Sequence, residues 1–402
     1  MEEWKEYKLG EVVISVKDRI TTSVLNASSY ISTENMLPNK AGVTLSSGIP
    51  SGNAIKFVAD DILISNIRPY FKKIWQADRI GGCSSDVICL RATNITEPIY
   101  LYYLLSQDRF FDYVMQGTKG TKMPRGDRSQ IMQWPVLLPS KNKQKKIASI
   151  LKSLDDKIEV NRKINENLEQ QAQALFKSWF VDFEPFKDQP FVESELGMIP
   201  EGWRVEPMAN IMNFQEGPGI RNWQYVQNSG TKFINIRCIK DGDIYTETAN
   251  MISNQEANGK YAHFMLQSGD IVMSCSGTLG RYAIVREDHL PLCLNTSVIR
   301  FIPISNFDYS FVLGTLTSSY FLNKQIEMAC GSVQANFGPT HLKQMKILVP
   351  PEAIRTQYNE KCYPIIHLIQ KQKYESRRLA ELRDTLLPRL MSGELKVDEI
   401  NL

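Results

Sequence analysis

Apolar residues after position 140 recur at an alternating spacing of four and three residues. Eight of the ten positions that follow this spacing are apolar, where a composition of 43% hydrophobic residues would give about four: 147, 151, 154, 158, 161, 165, 168, 172, 175 and 179. This narrow heptad stripe predicts a long helix that packs against another helix, in preference to an ordinary amphipathic surface helix. Asn161 and Asn165 lie in the middle of the stripe, where polar residues fix the register of a helix pair.

A second stripe with the same spacing follows residue 352, and its seven positions are Ile365, Leu368, Gln372, Glu375, Leu379, Leu382 and Leu386. We expect Pro364 to kink or restart this helix and Pro388 to end it. Neither helix has a partner of its own, so the two most simply pair with each other. The predicted pairing residues are Ile147, Leu151, Leu154, Ile158, Leu168, Leu175, Ile365, Leu368, Leu379, Leu382 and Leu386.

The rest of the chain forms two blocks with a strand-rich pattern. In residues 1–140, β-favouring runs at 11–16, 61–67 and 85–90 precede one predicted helix near 99–114. Residues 200–350 repeat this layout, with strands near 233–239, 270–274 and 297–302 and a helix near 310–328. The two blocks therefore have the same predicted order of elements.

Short motifs also recur between the blocks. Trp4 returns as Trp203 at an offset of 199, Asp61 as Asp270 at 209, and Pro139 as Pro350 at 211. A repeat this long indicates duplicated domains. The sequence predicts an α+β fold, with two strand-rich domains joined by a pair of long antiparallel coiled-coil helices in a pseudo-twofold internal repeat. The predicted boundaries are 1–140 for the first domain, 141–183 for a central helix, 184–199 for an extended linker, 200–350 for the second domain, 351–390 for a distal helix and 391–402 for a C-terminal tail.

Composition narrows the class of protein. The net charge is only +3 over 402 residues, which argues against a domain that binds nucleic acid by charge alone. The chain has no apolar run long enough to span a membrane and does not begin like a signal peptide, so we expect a cytoplasmic protein. Seven scattered cysteines without zinc-ligand spacing predict free, buried thiols and no metal site.

Two loops at equivalent places in the blocks carry side chains suited to DNA. Residues 117–128 contain four basic side chains and one acidic, and residues 331–337 carry amides suited to adenine edges. The loops after the two Asp-Ile strands are second-tier candidates, and an ordinary polar loop is the alternative for each. The DNA-binding candidates are Lys119, Thr121, Lys122, Arg125, Arg128, Asn66, Arg68, Tyr70, Lys72, Arg221, Asn222, Ser276, Thr278, Arg281, Ser332, Gln334 and Asn336.

Three strings resemble the specificity subunits of type I restriction-modification enzymes. They are Ala174–Pro185 at the end of the central helix, Ser194–Trp203 at the start of the second block and Leu386–Leu395 near the C-terminus. The resemblance covers essentially the whole chain. It implies two target recognition domains that each recognise half of a split DNA sequence, with a helix pair that sets the gap. It also implies a non-catalytic subunit that docks two methylation subunits and is joined by restriction subunits.

No catalytic signature appears in the sequence itself, since the only Gly-Lys pair, Gly259-Lys260, lacks the partner glycine of a phosphate-binding loop. We expect no cofactor here; S-adenosylmethionine, ATP and magnesium are implied only for the partner subunits. Residues 147–179 would span about 48 Å as a helix, which is enough to hold two domains at two faces of a duplex whose half-sites lie about 34–36 Å apart. A coiled-coil adaptor whose duplicated domains bind protein is the alternative, and the near-neutral charge favours it.

Overall fold

The computed structural model describes residues 4–118, 120, 122–329 and 336–397. The chain divides into two compact units. Unit 1 comprises Met1–Glu159 and Arg377–Leu402, and unit 2 comprises Val160–Ser376. Each unit contains one strand-rich domain and a part of both long helices, so each is described by itself.

The described residues of unit 1 form ten short strands and four short helices. The strands are β1 Lys5–Lys8, β2 Val13–Ser15, β3 Arg19–Thr21, β4 Tyr30–Ile31, β5 Asn53–Phe57, β6 Ile62–Ser65, β7 Ile74–Gln76, β8 Gly81–Cys83, β9 Val87–Ala92 and β10 Pro135–Leu138. The helices are α1 Leu9–Val12, α2 Pro98–Leu105, α3 Asp108–Gln116 and α4 Arg128–Ile131. The long helix α5, Lys141–Phe180, follows them.

Two four-stranded sheets form the domain of unit 1. The first sheet has the antiparallel order β2-β9-β6-β7, and the second has the order β3-β5-β8-β4 with β4 parallel to β8. Strand β6 is buried on both faces, and its side chains alternate between two hydrophobic cores. Ile62 and Ile64 belong to a core with the helices, whereas Leu63 belongs to a second core with Phe57 and Cys89. The continuous apolar run therefore marks the centre of the domain.

Unit 2 repeats this order of elements. Its strands are β11 Phe191–Ser194, β12 Gly197–Pro200, β13 Arg204–Pro207, β14 Met212–Glu216, β15 Tyr225–Val226, β16 Thr231–Ile234, β17 Ile239–Lys240, β18 Asp243–Ile244, β19 Asn250–Ile252, β20 Ile271–Ser274, β21 Tyr282–Ile284, β22 Leu292–Leu294, β23 Val298–Pro303 and β24 Lys346–Val349. Its helices are α6 Asn254–Asn258, α7 Tyr309–Thr317, α8 Ser319–Met328, α9 Pro339–Leu342 and the long α10, Glu352–Ser392.

The first sheet has the same strand order in both units, but the second sheet does not. In unit 2 the first sheet is β14-β23-β20-β21, which matches β2-β9-β6-β7 strand for strand. The second sheet is β15-β19-β16-β22, with the parallel pair β16 and β22 at one end. Strand β1 pairs with β10, and β13 pairs in the same way with β24. The duplication is therefore strict around the first sheet and the helices.

Each first sheet contains a buried aspartate that is paired with an arginine. Asp61 is 1% exposed and accepts two hydrogen bonds from Arg91, at 2.7 and 2.8 Å. In unit 2, Asp270 lies 3.3 Å from Nη1 of Arg300. The strand pairing aligns Arg300 with Cys89, because Leu63 pairs with Cys89 and Val272 pairs with Arg300. The arginine is therefore displaced by two positions between the units and stays on the same face of the strand.

The helix predicted in each domain is divided in two. In unit 1, α2 and α3 are separated by Ser106 and Gln107, and in unit 2 Ser318 separates α7 from α8. The Ser318 hydroxyl accepts a hydrogen bond from the Phe321 amide at 3.2 Å, as an N-cap residue does. The apolar positions fitted helical spacing across both halves, so periodicity alone did not reveal the break.

The two long helices pair antiparallel in each unit, as predicted. In unit 1, Ile147 and Leu151 of α5 share a core with Leu387 and Leu390 of α10. In unit 2, the Asn161 amide group donates to the Glu375 carboxylate at 2.7 Å. Rising residue numbers in α5 thus meet falling numbers in α10. Leu154 is buried, and Ile158, Leu168, Leu175, Ile365, Leu379 and Leu386 are partly buried.

The predicted pairing residues of α10 are wrong at two positions. Leu368 and Leu382 are 40% and 43% exposed, and the buried residues of α10 include Ile366, Ile369 and Leu387 instead.

The structure also contradicts the expected restart at Pro364 and the expected end at Pro388. Helix α10 continues through Pro364 and ends after Pro388, at Ser392. Both prolines lie on the exposed side of the helix, where water can hydrogen-bond to the carbonyl that loses its amide donor. The predicted extended linker, 184–199, instead holds a 3-10 turn at Glu184–Phe186 and part of the β11–β12 hairpin.

Candidate nucleic-acid interface

The structure joins the two candidate loops of unit 1. We call residues 66–72, after β6, the strand-end loop, and residues 122–128 the return loop. Ile67 and Arg125 form an isolated antiparallel bridge. The Gly126 amide donates to the Asn66 carbonyl at 3.2 Å, and the Arg68 amide donates to the Pro124 carbonyl at 2.8 Å. Backbone hydrogen bonds alone therefore hold the two loops against each other.

Unit 2 contains the same connection. Its strand-end loop is residues 275–281, and the described part of its return loop is residues 336–338. Ser276 and Asn336 form the bridge, and the Phe337 amide donates to the Cys275 carbonyl at 2.8 Å. A further hydrogen bond ties each strand-end loop to the start of the next sheet strand: Asn66 to Asp86 at 2.9 Å, and Cys275 to Ser297 at 3.0 Å.

Side chains alternate across the bridge, as in a strand. Gly126 and Phe337 are buried, whereas Arg125 and Asn336 are exposed. Phe337 packs in the core of unit 2, and its ring stacks on His341 with centroids 5.4 Å apart. A Cβ atom on Gly126 would lie 2.8 Å from Oδ1 of Asn66, so a larger residue there would displace the neighbouring side chains. The inner residue anchors the return loop and the outer residue faces solvent.

Positive charge collects around the loops of unit 1. Arg125 lies 3.3 Å from Asp86, and Arg128 donates to the Ser85 carbonyl at 2.5 Å. These contacts orient the two guanidinium groups while leaving most of their donors free.

A second basic group lies at the end of the strand-end loop. Asp108 lies 2.9 Å from Lys72 and 3.2 Å from Lys40. Partial burial raises the pKa of Asp108, but the two lysines outweigh it and lower that pKa below its usual value. One carboxylate therefore holds two ammonium groups together, with an excess of positive charge.

The remaining candidates of unit 1 differ in exposure. Tyr70 is 47% exposed and its ring contacts that of Phe71, with centroids 4.6 Å apart. Asn66 and Arg68 are half-buried, and each has a side-chain atom without a hydrogen-bond partner among the described residues, Oδ1 of Asn66 and Nε of Arg68. Lys122 is exposed. Lys119 and Thr121 lie outside the described residues.

The candidates of unit 2 fall into two places. Ser276, Thr278 and Arg281 lie in the strand-end loop, with Thr278 and Arg281 exposed. Arg221 and Asn222 lie instead beside β15, at the edge of the second sheet. The structure therefore does not group these two with the strand-end loop through any described contact. Ser332 and Gln334 lie outside the described residues.

Sequence reasoning missed several residues around these loops. Lys40, Asp86 and Asp108 contact the predicted residues, but they are distant in sequence and belong to no motif. In unit 2, Glu216 accepts a hydrogen bond from Thr296 at 3.1 Å, next to the start of the strand-end loop. Only strand pairing reveals these neighbours.

The described part of the chain has neither a cluster of metal ligands nor a helix that could span a membrane. The six cysteines in it are free and buried, as predicted. It contains no group of three or more potential metal ligands. None of its helices is both long and apolar enough to cross a membrane.

Comparisons with known proteins agree with this architecture. A family model for the type I restriction modification DNA specificity domain matches residues 1–170 and 200–376. The specificity subunit of the type I restriction enzyme HindI from Haemophilus influenzae is 25% identical over 466 aligned positions, which cover 98% of this chain and 100% of that protein. The MjaIX specificity subunit from Methanocaldococcus jannaschii is 28% identical over 311 aligned positions, which cover 75% of this chain and 70% of that protein.

A solved structure supports the fold. The crystal structure of the type I restriction-modification system S subunit from M. genitalium covers 96% of both chains, with a TM-score of 0.58 and 14% identity. The family model matches twice and accounts for most of the residues. The chain therefore belongs to the type I restriction modification DNA specificity domain family, and it is a specificity subunit with two such domains.

Proposed function

We propose that each domain recognises one half of a bipartite double-stranded DNA target through its strand-end loop and return loop. The observation that carries this proposal is the repeated backbone connection between the two loops. It recurs at Ile67–Arg125 and at Ser276–Asn336, although the side chains differ. Two domains that recognise different DNA sequences need the same backbone arrangement with different exposed side chains, because side-chain chemistry distinguishes the base edges.

The charges support contact with a duplex in unit 1. Lys72, Lys122 and Arg128 lie within the two loops, and Lys40 lies beside them. Contacts of such groups to phosphates position a protein without selecting a sequence. The exposed side chains between them then meet the base edges. The modest net charge of the chain fits a subunit that binds DNA together with partners.

The paired long helices set the spacer between the half-sites and dock two methylation subunits in this proposal, and restriction subunits join the full complex. The 40 residues of α5 correspond to about 60 Å of helix. S-adenosylmethionine, ATP and magnesium belong to the partner subunits, and this chain supplies sequence recognition and assembly.

Binding of the complex to DNA tests the recognition step. The chain is co-purified with its methylation subunits and incubated with a library of random duplexes, and bound duplexes are sequenced. We expect enrichment of two short conserved blocks separated by a spacer of fixed length. A protein-binding adaptor would give no sequence-dependent enrichment, and that result would reject the proposal.

Changes of helix length test the spacer. One heptad is removed from α5 at 157–163, together with the facing residues 374–380 of α10, so that both stripes stay in phase. The spacer in the selected sequences should change while both blocks keep their sequence. Removing Arg79, on the turn between β7 and β8, serves as the control for loss of an exposed charged residue. An unchanged spacer would exclude the helices as its determinant.

A further inference from the structure

The repeat places Arg125 and Asn336 at the same position of the two domains. From β9 to the long helices the two units are related by an offset of 211 residues, as in β9 and β23, α2 and α7, or β10 and β24. Arg125 and Asn336 obey this offset, and both pair with the strand-end loop through the bridge. The equivalence therefore rests on hydrogen bonding as well as on numbering.

We propose that this single position selects a base in each half-site, with Arg125 contacting a guanine and Asn336 contacting an adenine. The inference rests on the proposed function and adds the residues and the bases. A guanidinium can donate two hydrogen bonds to O6 and N7 of guanine, and a carboxamide can pair with N6 and N7 of adenine.

Geometry favours this position over its neighbours. The bridge and the hydrogen bond from the next amide fix the backbone, so the side chain leaves the domain from a defined point. The inner neighbours, Gly126 and Phe337, face the core and cannot reach a ligand. A base-contacting residue needs such a fixed origin, because a shift of about 1 Å is enough to break a bidentate pair.

The surroundings of the two residues match the two chemistries. The Asp86 carboxylate lies 3.3 Å from Nη2 of Arg125, so it orients the guanidinium through one of its three nitrogens. The residue equivalent to Asp86 is Ser297, which has no charge. Arginine thus has an acidic partner to orient it, and the domain with the neutral Asn336 has a neutral serine at the position of that partner.

A contact with phosphate is the competing explanation for Arg125. Phosphate contacts affect all sequences alike, so they leave the recognised sequence unchanged. The Asn336 amide can also donate to a phosphate oxygen, but it brings no positive charge to such a contact, so the phosphate explanation is weaker for this residue. One position that carries a cation in one domain and an amide in the other is better suited to base edges than to phosphates.

Exchange of the two residues tests the inference in the intact complex. Four variants are co-expressed with the methylation subunits: Arg125→Asn, Arg125→Lys, Asn336→Arg and, as a control for a lost exposed arginine, Arg79→Asn. Bound duplexes are selected from a random library, and thermal unfolding confirms that each variant is folded.

We expect Arg125→Asn to change one base pair of one half-site, with about 10- to 100-fold weaker binding to the original sequence. Arg125→Lys, which keeps the charge but loses the planar fork, should relax selectivity at that base pair. Asn336→Arg should alter one base pair of the other half-site only, and Arg79→Asn should leave both unchanged.

Two results would overturn the inference. Folded variants that bind more weakly but select the original sequence would make Arg125 a phosphate contact, and a change in both half-sites at once would contradict the assignment of one residue to each. Failure of the proposed function looks different, because the unaltered complex would then select no bipartite sequence at all.

Discussion

Replacement of Arg91 by isoleucine should destabilise unit 1 by leaving a buried carboxylate without its cation. Asp61 is 1% exposed, and after the change it keeps a hydrogen bond from the Val58 amide at 2.9 Å. Removing one partner of a buried ion pair costs about 3–5 kcal/mol. Arg91 is itself 38% exposed, so water can partly replace it, and we expect a loss of about 2 kcal/mol.

Unit 2 suggests the matched rescue. It has arginine at the position of Cys89 and Ile302 at the position of Arg91, so Cys89→Arg combined with Arg91→Ile copies the arrangement around Asp270. Urea unfolding, with hydrogen exchange of residues 61–65 as a local measurement, should show partial recovery in the double variant. A coupling below about 0.5 kcal/mol between the two substitutions would refute the equivalence of the two positions.

Three further changes have defined outcomes. Gly314→Ala places a Cβ 2.2 Å from Cδ2 of Phe176, so we expect the free energy of unfolding to fall by about 1 kcal/mol despite the gain in helix propensity. Thermal unfolding should show that Gly314→Ala causes no further loss when Phe176 is replaced by leucine. A Gly314→Ala variant more stable than the unaltered protein would contradict this packing. Asn161→Leu should raise the unfolding temperature, since Asn161 is fully buried and its Oδ1 has no partner among the described residues; a marked decrease would show that its hydrogen bond to Glu375 dominates. Burial raises the pKa of Asp243, but His289 and Arg286 outweigh it and lower the pKa to about 2. The unaltered protein should therefore be more stable than the Asp243→Asn variant by about 2 kcal/mol above pH 4, and this difference should vanish as pH falls towards 2. A difference that does not depend on pH would exclude the ion pair as its cause.

Sequence analysis predicted the family, the duplication and the helix pairing, and all three are confirmed. The family assignment also favours a specificity subunit over an enzyme in its own right. The motifs that carried these predictions are local in sequence, such as Trp4 and Trp203 or Pro139 and Pro350. Local patterns of this kind can be recognised in the sequence without knowledge of the tertiary structure.

The stripe of α10 was misplaced although the sequence contained the correct answer. Carrying the offset of 211 from Pro139 and Pro350 into the helix gives positions 358, 362, 365, 369, 372, 376, 379, 383, 386 and 390, and every one of them is buried or partly buried. Polar residues such as Gln372 and Arg383 occupy this stripe, whereas Leu368 and Leu382 are exposed. Hydrophobicity alone therefore placed every second position of the stripe, 368, 375 and 382, one residue too early.

The neighbours of the candidate loops could not be predicted from sequence. Asp86 and Lys40 reach the loops only through strand pairing and turns, which are long-range features. The order of strands in the second sheet differs between the units and has no local signal. The candidate loop residues themselves stay a prediction, since geometry brings them together without showing a bound duplex.

The polar centre of the helix pair has a consequence for how the length of the pair can change. Asn161 and Asn165 donate hydrogen bonds to Glu375, Ser376 and the carbonyl of Ile369. Sliding one helix along the other by a heptad would break all three hydrogen bonds of these buried amides, which destabilises the pair. The register of the helix pair is therefore fixed. The length of the pair changes only when residues are inserted into or deleted from both helices.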